Sequence, residues 1–156
     1  MKRQHNYKLT MTWTGNKGTG TATYTGYERS HCISIEGKPD ILGSSDPVFR
    51  GDKTRYNPEE LLLAALSSCH MLAYLHLCAD VGVVVVDYID NANGIMVETD
   101  NGSGHFTEVT LNPVVVVSDS SMIDKANELH EEANKVCFIA NSCNFPVHHK
   151  PTCKAI

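Results

Sequence analysis

Arginine is scarce in this sequence. Its 156 residues hold four, Arg3, Arg29, Arg50 and Arg55, scattered so that no basic stripe forms. With a formal net charge of −5 at pH 7, that scarcity argues against nucleic acid or an anionic membrane as the main partner. The six cysteines are too few and too dispersed for a disulfide-stapled secreted scaffold. No apolar leader opens the chain, because "MKRQHNYKLTMTW" alternates polar and apolar residues after a charged start. The reading is a cytoplasmic protein with reduced thiols, in which any disulfide is transient and functional. Missing too are C-x-x-C, H-E-x-x-H and G-x-S-x-G, the spacings of common zinc sites and of the serine hydrolase elbow. No cofactor is expected. A chain of this length forms one domain, residues 1–156, burying roughly 70% of the surface its unfolded form exposes.

What is present reads as an α+β pattern. Tyr7, Leu9, Met11 and Trp13 alternate with polar residues, the period of a half-buried strand. "GNKG" then turns the chain, and "TGTATYTGY" is expected to return as the second strand of a hairpin. A third strand is expected near "SHCISIEG", followed by a long loop over 37–57. Asn57 as N-cap, Pro58 at the first helical position and Glu60 in a capping-box-like arrangement start a helix that Gly82 stops. Residues 58–79 could span a bilayer by length, but Glu59 and Glu60 at one end and interior His70, Tyr74 and His76 favour a buried core helix. Three strands follow, "VVVVDYID", "GIMVET" and "HFTEVTLNPVVVVSD". A second helix over about 120–140 carries the stripe Met122, Ala126, Leu129, Ala133, Val136, Cys137 and Ala140. A tail from Asn144 is placed as an edge strand. The order βββ-α-βββ-α implies two sheets and two principal helices. The first helix is apolar on every face, more than one chain this size can cover; a homodimer can.

Cys69 stands mid-helix and Cys137 on the second stripe. A buried free cysteine can serve as a small hydrophobe, and the same two can form a redox pair. "HHKPTC" gathers His148, His149 and Cys153, a metal-site reading that lacks a paired ligand spacing. Cys32 and Cys78 read as core residues.

The stretch "RYNPEELLLAALSSCHMLAYLHLCADVG" resembles the central-helix signature of the OsmC/Ohr family, the osmotically inducible and organic-hydroperoxide-resistance proteins. There N-P-E-[EQ]-L precedes the reactive cysteine at this distance. "HEEANKVCFIANSCNFPV" resembles the family's second cysteine segment. The resemblance extends over almost the whole chain. It implies two antiparallel sheets wrapped around long central helices, an intertwined homodimer, and a thiol-dependent peroxidase for organic hydroperoxides recharged by a dithiol reductant, a small molecule or a lipoyl- or thioredoxin-type protein. On this resemblance Cys69 matches the peroxidatic cysteine, Cys137 the resolving one and Glu59 the first glutamate of the motif. The family commonly has Cys-Pro where this chain has Cys137-Phe138, which makes Cys143 the second choice as resolver. The arginine that holds the thiolate in the family is assigned to Arg50, with Arg55 second and Arg29 third.

The chemistry explains that residue set. A thiolate attacks the peroxide oxygen, and with an ordinary pKa near 8.5 only about 3% of a cysteine is ionised at pH 7. Cys69 is too far from either helix end for the dipole to help, and burial opposes ionisation. A fixed cation is needed, and arginine oriented by Glu59 supplies one. His70 lies roughly 100° around the helix from Cys69 and is not the base. Glu59 and Cys69 are roughly 15 Å apart along the helix, so one chain's Glu59 and arginine are expected to serve the other chain's Cys69. An apolar lining from Leu66, Met71 and Leu72 would favour organic over hydrogen peroxide. Two other classes fit the same residues: a dimeric binding module for an apolar metabolite with a silent thiol, and a structural dimer with buried cysteines.

Overall fold

β1 (Thr10–Trp13), β2 (His31–Ser34) and β3 (Ile41–Gly43) form an antiparallel sheet in the computed structural model, which describes residues 3–156. Thr10 pairs with Ser34 and Trp13 with His31, so β1 skips the expected hairpin partner. Local polar groups bend the intervening segment instead. The Asn16 carboxamide accepts the Gly18 and Gly20 N–H groups at 2.9 and 3.0 Å, and Gly18 has φ +103°, a conformation closed to most side chains. Arg29 lies over the Tyr24 and Tyr27 rings and donates to both their carbonyl oxygens. Residues 18–27 therefore fold as successive turns. The expected long loop over 37–57 holds β3 and a 3-10 turn, Pro47–Phe49, capped by Asp46.

Backbone contacts divide the chain into two compact units, Met1–Leu62 and Leu63–Ile156, and the boundary falls within helix α1 (Pro58–Val81). The start of α1 is as its sequence dictates: the Glu60 N–H donates to the Asn57 side chain at 2.8 Å, and the Asn57 N–H donates to the Glu60 carboxylate at 3.1 Å. Gly82, at φ +80°, ends it, with the Val83 N–H bonded back to the Cys78 carbonyl at 2.9 Å. The helix is not covered all round within this chain. Leu66, His70, Tyr74 and Cys78, four residues apart along one stripe, are its buried residues.

In the second unit, β4 (Val85–Asp90) and β5 (Asn93–Glu98) run on from one another, and β6 (Gly104–Leu111) and β7 (Pro113–Val117) return against them. The stretch expected as one strand over 105–119 is thus broken at Asn112. The Asn112 N–H donates to Asp90 at 2.7 Å and its amide to the Asn91 carbonyl at 2.9 Å, while Pro113 has no N–H to continue the ladder. The tail supplies two strands. β8 (Val147–His149) lies parallel to β6 and β9 (Thr152–Ala155) parallel to β7, separated by Pro151. Counting the first sheet, there are three three-stranded sheets among the described residues. The expected α+β architecture of antiparallel sheets and two principal helices holds. The sheets number three instead of two, because the antiparallel ribbon β4–β7 is bent into two halves, each with a parallel strand, β8 or β9, added at one edge.

Helix α2 (Ile123–Val136) buries Ala126, Leu129, His130 and Ala133. It follows a 3-10 turn at Ser120–Met122 and is shorter than expected at its C-terminal end. Cys137 leaves the helix with extended backbone, Val136 is exposed, and Ala140–Ser142 form a separate 3-10 turn. The core of the unit joins Tyr74 and Cys78 of α1, Val115 and Val117 of β7, and Ala126, Leu129 and Ala133 of α2.

Candidate functional site

Cys69 and Cys137 meet in the second unit, one on α1 and the other just after α2. Cys69 is half-buried, whereas Cys137 is only 1% exposed. Burial pushes the Cys137 thiol up to about 11, and the neighbouring Cys69 sulfur pushes it the same way. Cys137 is therefore protonated at neutral pH, a donor that faces Cys69, and both are free thiols. Cys143 is half-buried, donates to the Ile139 carbonyl at 3.4 Å, and burial raises it too.

Cys69 opens onto an apolar cavity of about 780 Å³ whose walls include Leu72, Leu77, Val136, Phe138 and Ile139. Of the expected lining residues Leu72 is there; Leu66 is fully buried in the core instead, and Met71 faces elsewhere. The early end of α2 builds the other wall: because the helix stops at Val136, Val136 and Phe138 stay outside its buried stripe and turn to the cavity. Ser68 and His76 are the polar residues along the α1 side.

Behind Cys69, on the buried face of α1, stands a cluster that sequence reasoning missed. A ring nitrogen of His70 (Nε2) and one of His130 (Nδ1) share a hydrogen bond at 3.0 Å, with both residues 1% exposed. Tyr74 stacks on the His130 ring at 3.9 Å between centroids, and the His149 ring stands edge-on to His70. His149 itself donates to the His130 carbonyl at 3.2 Å. Burial is the first cause that holds His70 down at about 4, with His149 second and Asp90 opposing; burial, then His70 and His149, holds His130 at about 3. The imidazoles are neutral. Their signal in the sequence was positional: His70 repeats at four-residue spacing with Leu66 and Tyr74, and His130 falls between Leu129 and Ala133. Asp90 was also missed, although it accepts from Ser67 of α1 as well as from Asn112.

The remaining expected residues lie in the first unit. Glu59 is half-buried on the first turn of α1 and Arg50 is exposed at the end of the 3-10 turn. Neither is in an ion pair among the described residues, whereas Arg55 pairs with Asp52 at 3.6 Å. Arg50 is the one non-glycine residue at positive φ, +65°, among those described. The "HHKPTC" residues separate by strand alternation: His148 reaches Glu108 at 3.7 Å and His149 turns inward. No cluster of three or more His, Cys, Asp or Glu side chains suited to a metal occurs among the described residues.

Residues 51–151 match the profile of the OsmC-like protein family. An OsmC-like protein of unknown function from Vibrio cholerae O1 biovar eltor is 33% identical, with 96% of this chain and 100% of that one covered and a TM-score of 0.85. Two structures share the fold at lower identity. An organic hydroperoxide resistance protein from Elizabethkingia anophelis is 19% identical over 100% of both chains, with a TM-score of 0.70. The organic hydroperoxide resistance protein OsmC from Legionella pneumophila is 15% identical over 97% of this chain and 99% of that one, with a TM-score of 0.64. No curated protein matches the sequence.

Proposed function

The chain belongs to the OsmC-like family, and from that premise we propose that it is a thiol-dependent peroxidase acting on organic hydroperoxides. The observation that carries this reading is a half-buried Cys69 at the wall of an apolar cavity, with a second, deeply buried thiol beside it. Two of its structural relatives are named for organic hydroperoxide resistance, which agrees with the reading.

The two thiols divide the work by depth. Cys69, the one open to the cavity, attacks as thiolate: its sulfur bonds the outer peroxide oxygen, the O–O bond breaks, and the leaving alkoxide takes a proton to depart as an alcohol. Cys69 is then a sulfenic acid. Cys137 attacks that sulfur, a disulfide forms and water leaves; an external dithiol reduces the bond by exchange, itself becoming the disulfide. Leu72, Leu77 and Phe138 favour an alkyl or aryl hydroperoxide over hydrogen peroxide, because burying apolar substrate surface contributes to binding. A homodimer completes the site, with Glu59 and Arg50 of one copy serving Cys69 of the other. Arg50 fits that role better than Arg55, held by Asp52, or Arg29, held by the Tyr24 and Tyr27 carbonyls. Its left-handed backbone is the kind of strain that functional sites retain. A reducing cytoplasm would supply the dithiol, either a small molecule or a lipoyl or thioredoxin-type protein.

The test is peroxide consumption in the presence of a small dithiol, comparing cumene or tert-butyl hydroperoxide with hydrogen peroxide. Turnover should be faster with the organic substrates and fall to background in Cys69→Ser. Wild-type turnover by Cys69→Ser would refute the peroxidase reading. If that variant and the wild type bind an apolar probe equally and neither consumes peroxide, the cavity is a binding site for an apolar metabolite.

A further inference from the structure

We propose that His70 and His130 are positioning residues, whose mutual hydrogen bond holds α1 against α2 and thereby sets how readily Cys69 and Cys137 close into a disulfide. This rests on the redox-pair reading of those two cysteines.

A disulfide accepts only a narrow geometry, with Cα atoms about 4.4–6.8 Å apart and β-carbons about 3.5–4.5 Å apart. Helix α1, which carries Cys69, and helix α2, whose C-terminal end delivers Cys137, must therefore be held in register. Most of the packing between them has no directional preference of its own. Tyr74 and Cys78 of α1 and Ala126, Leu129 and Ala133 of α2 share an apolar core, and apolar burial is non-directional, so it defines the register less sharply than a hydrogen bond does. The imidazole pair differs. One ring N–H donates to the other ring's nitrogen over 3.0 Å, between two side chains almost wholly removed from water, and such a bond weakens steeply with misalignment.

Its placement matches the task. His70 follows Cys69 directly, so fixing its ring fixes the same turn of α1. His130 lies six residues, roughly 9 Å, before Val136, where α2 ends and hands the chain to Cys137. Tyr74 stacked on one face of His130 and the His149 N–H donated to the His130 carbonyl hold that residue in turn. The pair also carries a cost that stability alone would not select. The far ring nitrogens, His70 Nδ1 and His130 Nε2, are buried with no hydrogen-bond partner among the described residues. A well-packed apolar pair of similar volume would leave the core at least about as stable. What two imidazoles add is direction.

The experiment separates the bond from the bulk. A glutamine amide reaches the Nε2 position of histidine, and an asparagine amide reaches only Nδ1. His70→Gln and His130→Asn therefore keep a partner at the shared bond, while His70→Asn and His130→Gln remove it with the same chemical groups. Each purified protein is equilibrated with mixtures of reduced and oxidised dithiothreitol at pH 7 and quenched with acid. The Cys69–Cys137 peptide is then quantified by mass spectrometry. The exchange balances as two protein thiols plus oxidised dithiothreitol giving the protein disulfide plus reduced dithiothreitol. Thermal stability is measured alongside.

The expected result is an equilibrium constant within twofold of wild type for His70→Gln and His130→Asn. It should be roughly tenfold lower for His70→Asn and His130→Gln, about 30 mV for this two-electron couple. A purely structural role would order the variants by melting temperature instead of by which amide reaches the bond. Equal constants for the Asn and Gln variants at a site overturn the proposal, and either site alone decides it if a variant at the other does not fold. If the wild type forms no Cys69–Cys137 disulfide in any mixture, the redox-pair reading fails, and this proposal with it.

Discussion

The depth of each thiol sets its role at the scale of single residues. Cys137 is buried and pushed up to about 11, so in the proposed cycle it enters as a thiol and waits for an electrophilic sulfur. In Cys137→Ser one equivalent of peroxide should be consumed and Cys69 should persist as sulfenic acid, detected by a dimedone adduct at that residue. Continued cycling through a Cys69–Cys143 disulfide would instead make Cys143 the resolver. The arginine question is also one of single residues. Arg50→Met keeps much of the side chain's bulk and removes the charge, so it should slow peroxide turnover by about 10²-fold or more, in the range lost with a transition-state donor. Arg55→Met should stay within a few fold, because its guanidinium is already engaged by Asp52. The reverse ranking would move the role to Arg55. Little of this was legible in the sequence: four arginines could be named, but which is held by a neighbour is a matter of folded contacts.

At the scale of elements, the parts that were legible are those whose signals are local. Asn57, Glu60 and Gly82 fix both ends of α1 by hydrogen bonds within a few residues of one another, and the Asn/Gly-rich turns that bound them located β5 and β6. The failures came where competing local bonds or distant partners decide. Asn16 and the glycines after it hold 18–27 in turns, and Asp90 intercepts the Asn112 N–H and breaks a strand that reads as continuous. The meeting of α1, α2 and β8 through His70, His130 and His149 links residues far apart in sequence, and no periodicity reveals it. That meeting gives the fold an acid sensitivity of definite sign. Both His70, at about 4, and His130, at about 3, lie below the ordinary histidine value of about 6.5, so the unfolded chain binds more protons than the folded one. Their stabilising contribution is complete above pH 6.5 and is lost as pH falls toward 4 and 3. One such imidazole forfeits roughly 2–3 kcal/mol by pH 4.5. The urea midpoint should fall between pH 7 and pH 4.5, and less steeply in His130→Phe, which has one fewer proton to take up. Parallel pH profiles for the two proteins would show that the acid loss arises elsewhere, as in carboxylates such as Asp52 and Asp119 that are held below their usual range.

For the whole molecule the question is what covers the apolar surface that this chain leaves open. α1 has the length and composition to cross a membrane, yet little of it is buried within the chain. Leu72 is 63% exposed beside the cavity, and in the first unit Tyr7, Leu9, Met11 and Trp13, on β1 and the residues before it, are all exposed, with Tyr7 at 89% and Trp13 at 43%. Single exposed apolar residues are ordinary, but contiguous ones mark an interface. A bilayer is a poor match for this helix, because Glu59 and Glu60 stand at its start and His76 and Asp80 pair at its exposed far end. A second copy fits better. It would cover the helix and bring Glu59 and Arg50 to the partner's Cys69, two needs met by one symmetry operation. Leu72→Asp tests the cover, since a carboxylate buried unpaired at such an interface costs several kcal/mol, whereas within the protomer the side chain is largely exposed. The wild type should sediment as a dimer at micromolar concentration. The variant should shift to monomer with its far-UV circular dichroism unchanged. A folded wild-type monomer with full turnover at the same concentration would remove the shared site and return the search for the thiolate's cation to Cys69's own chain.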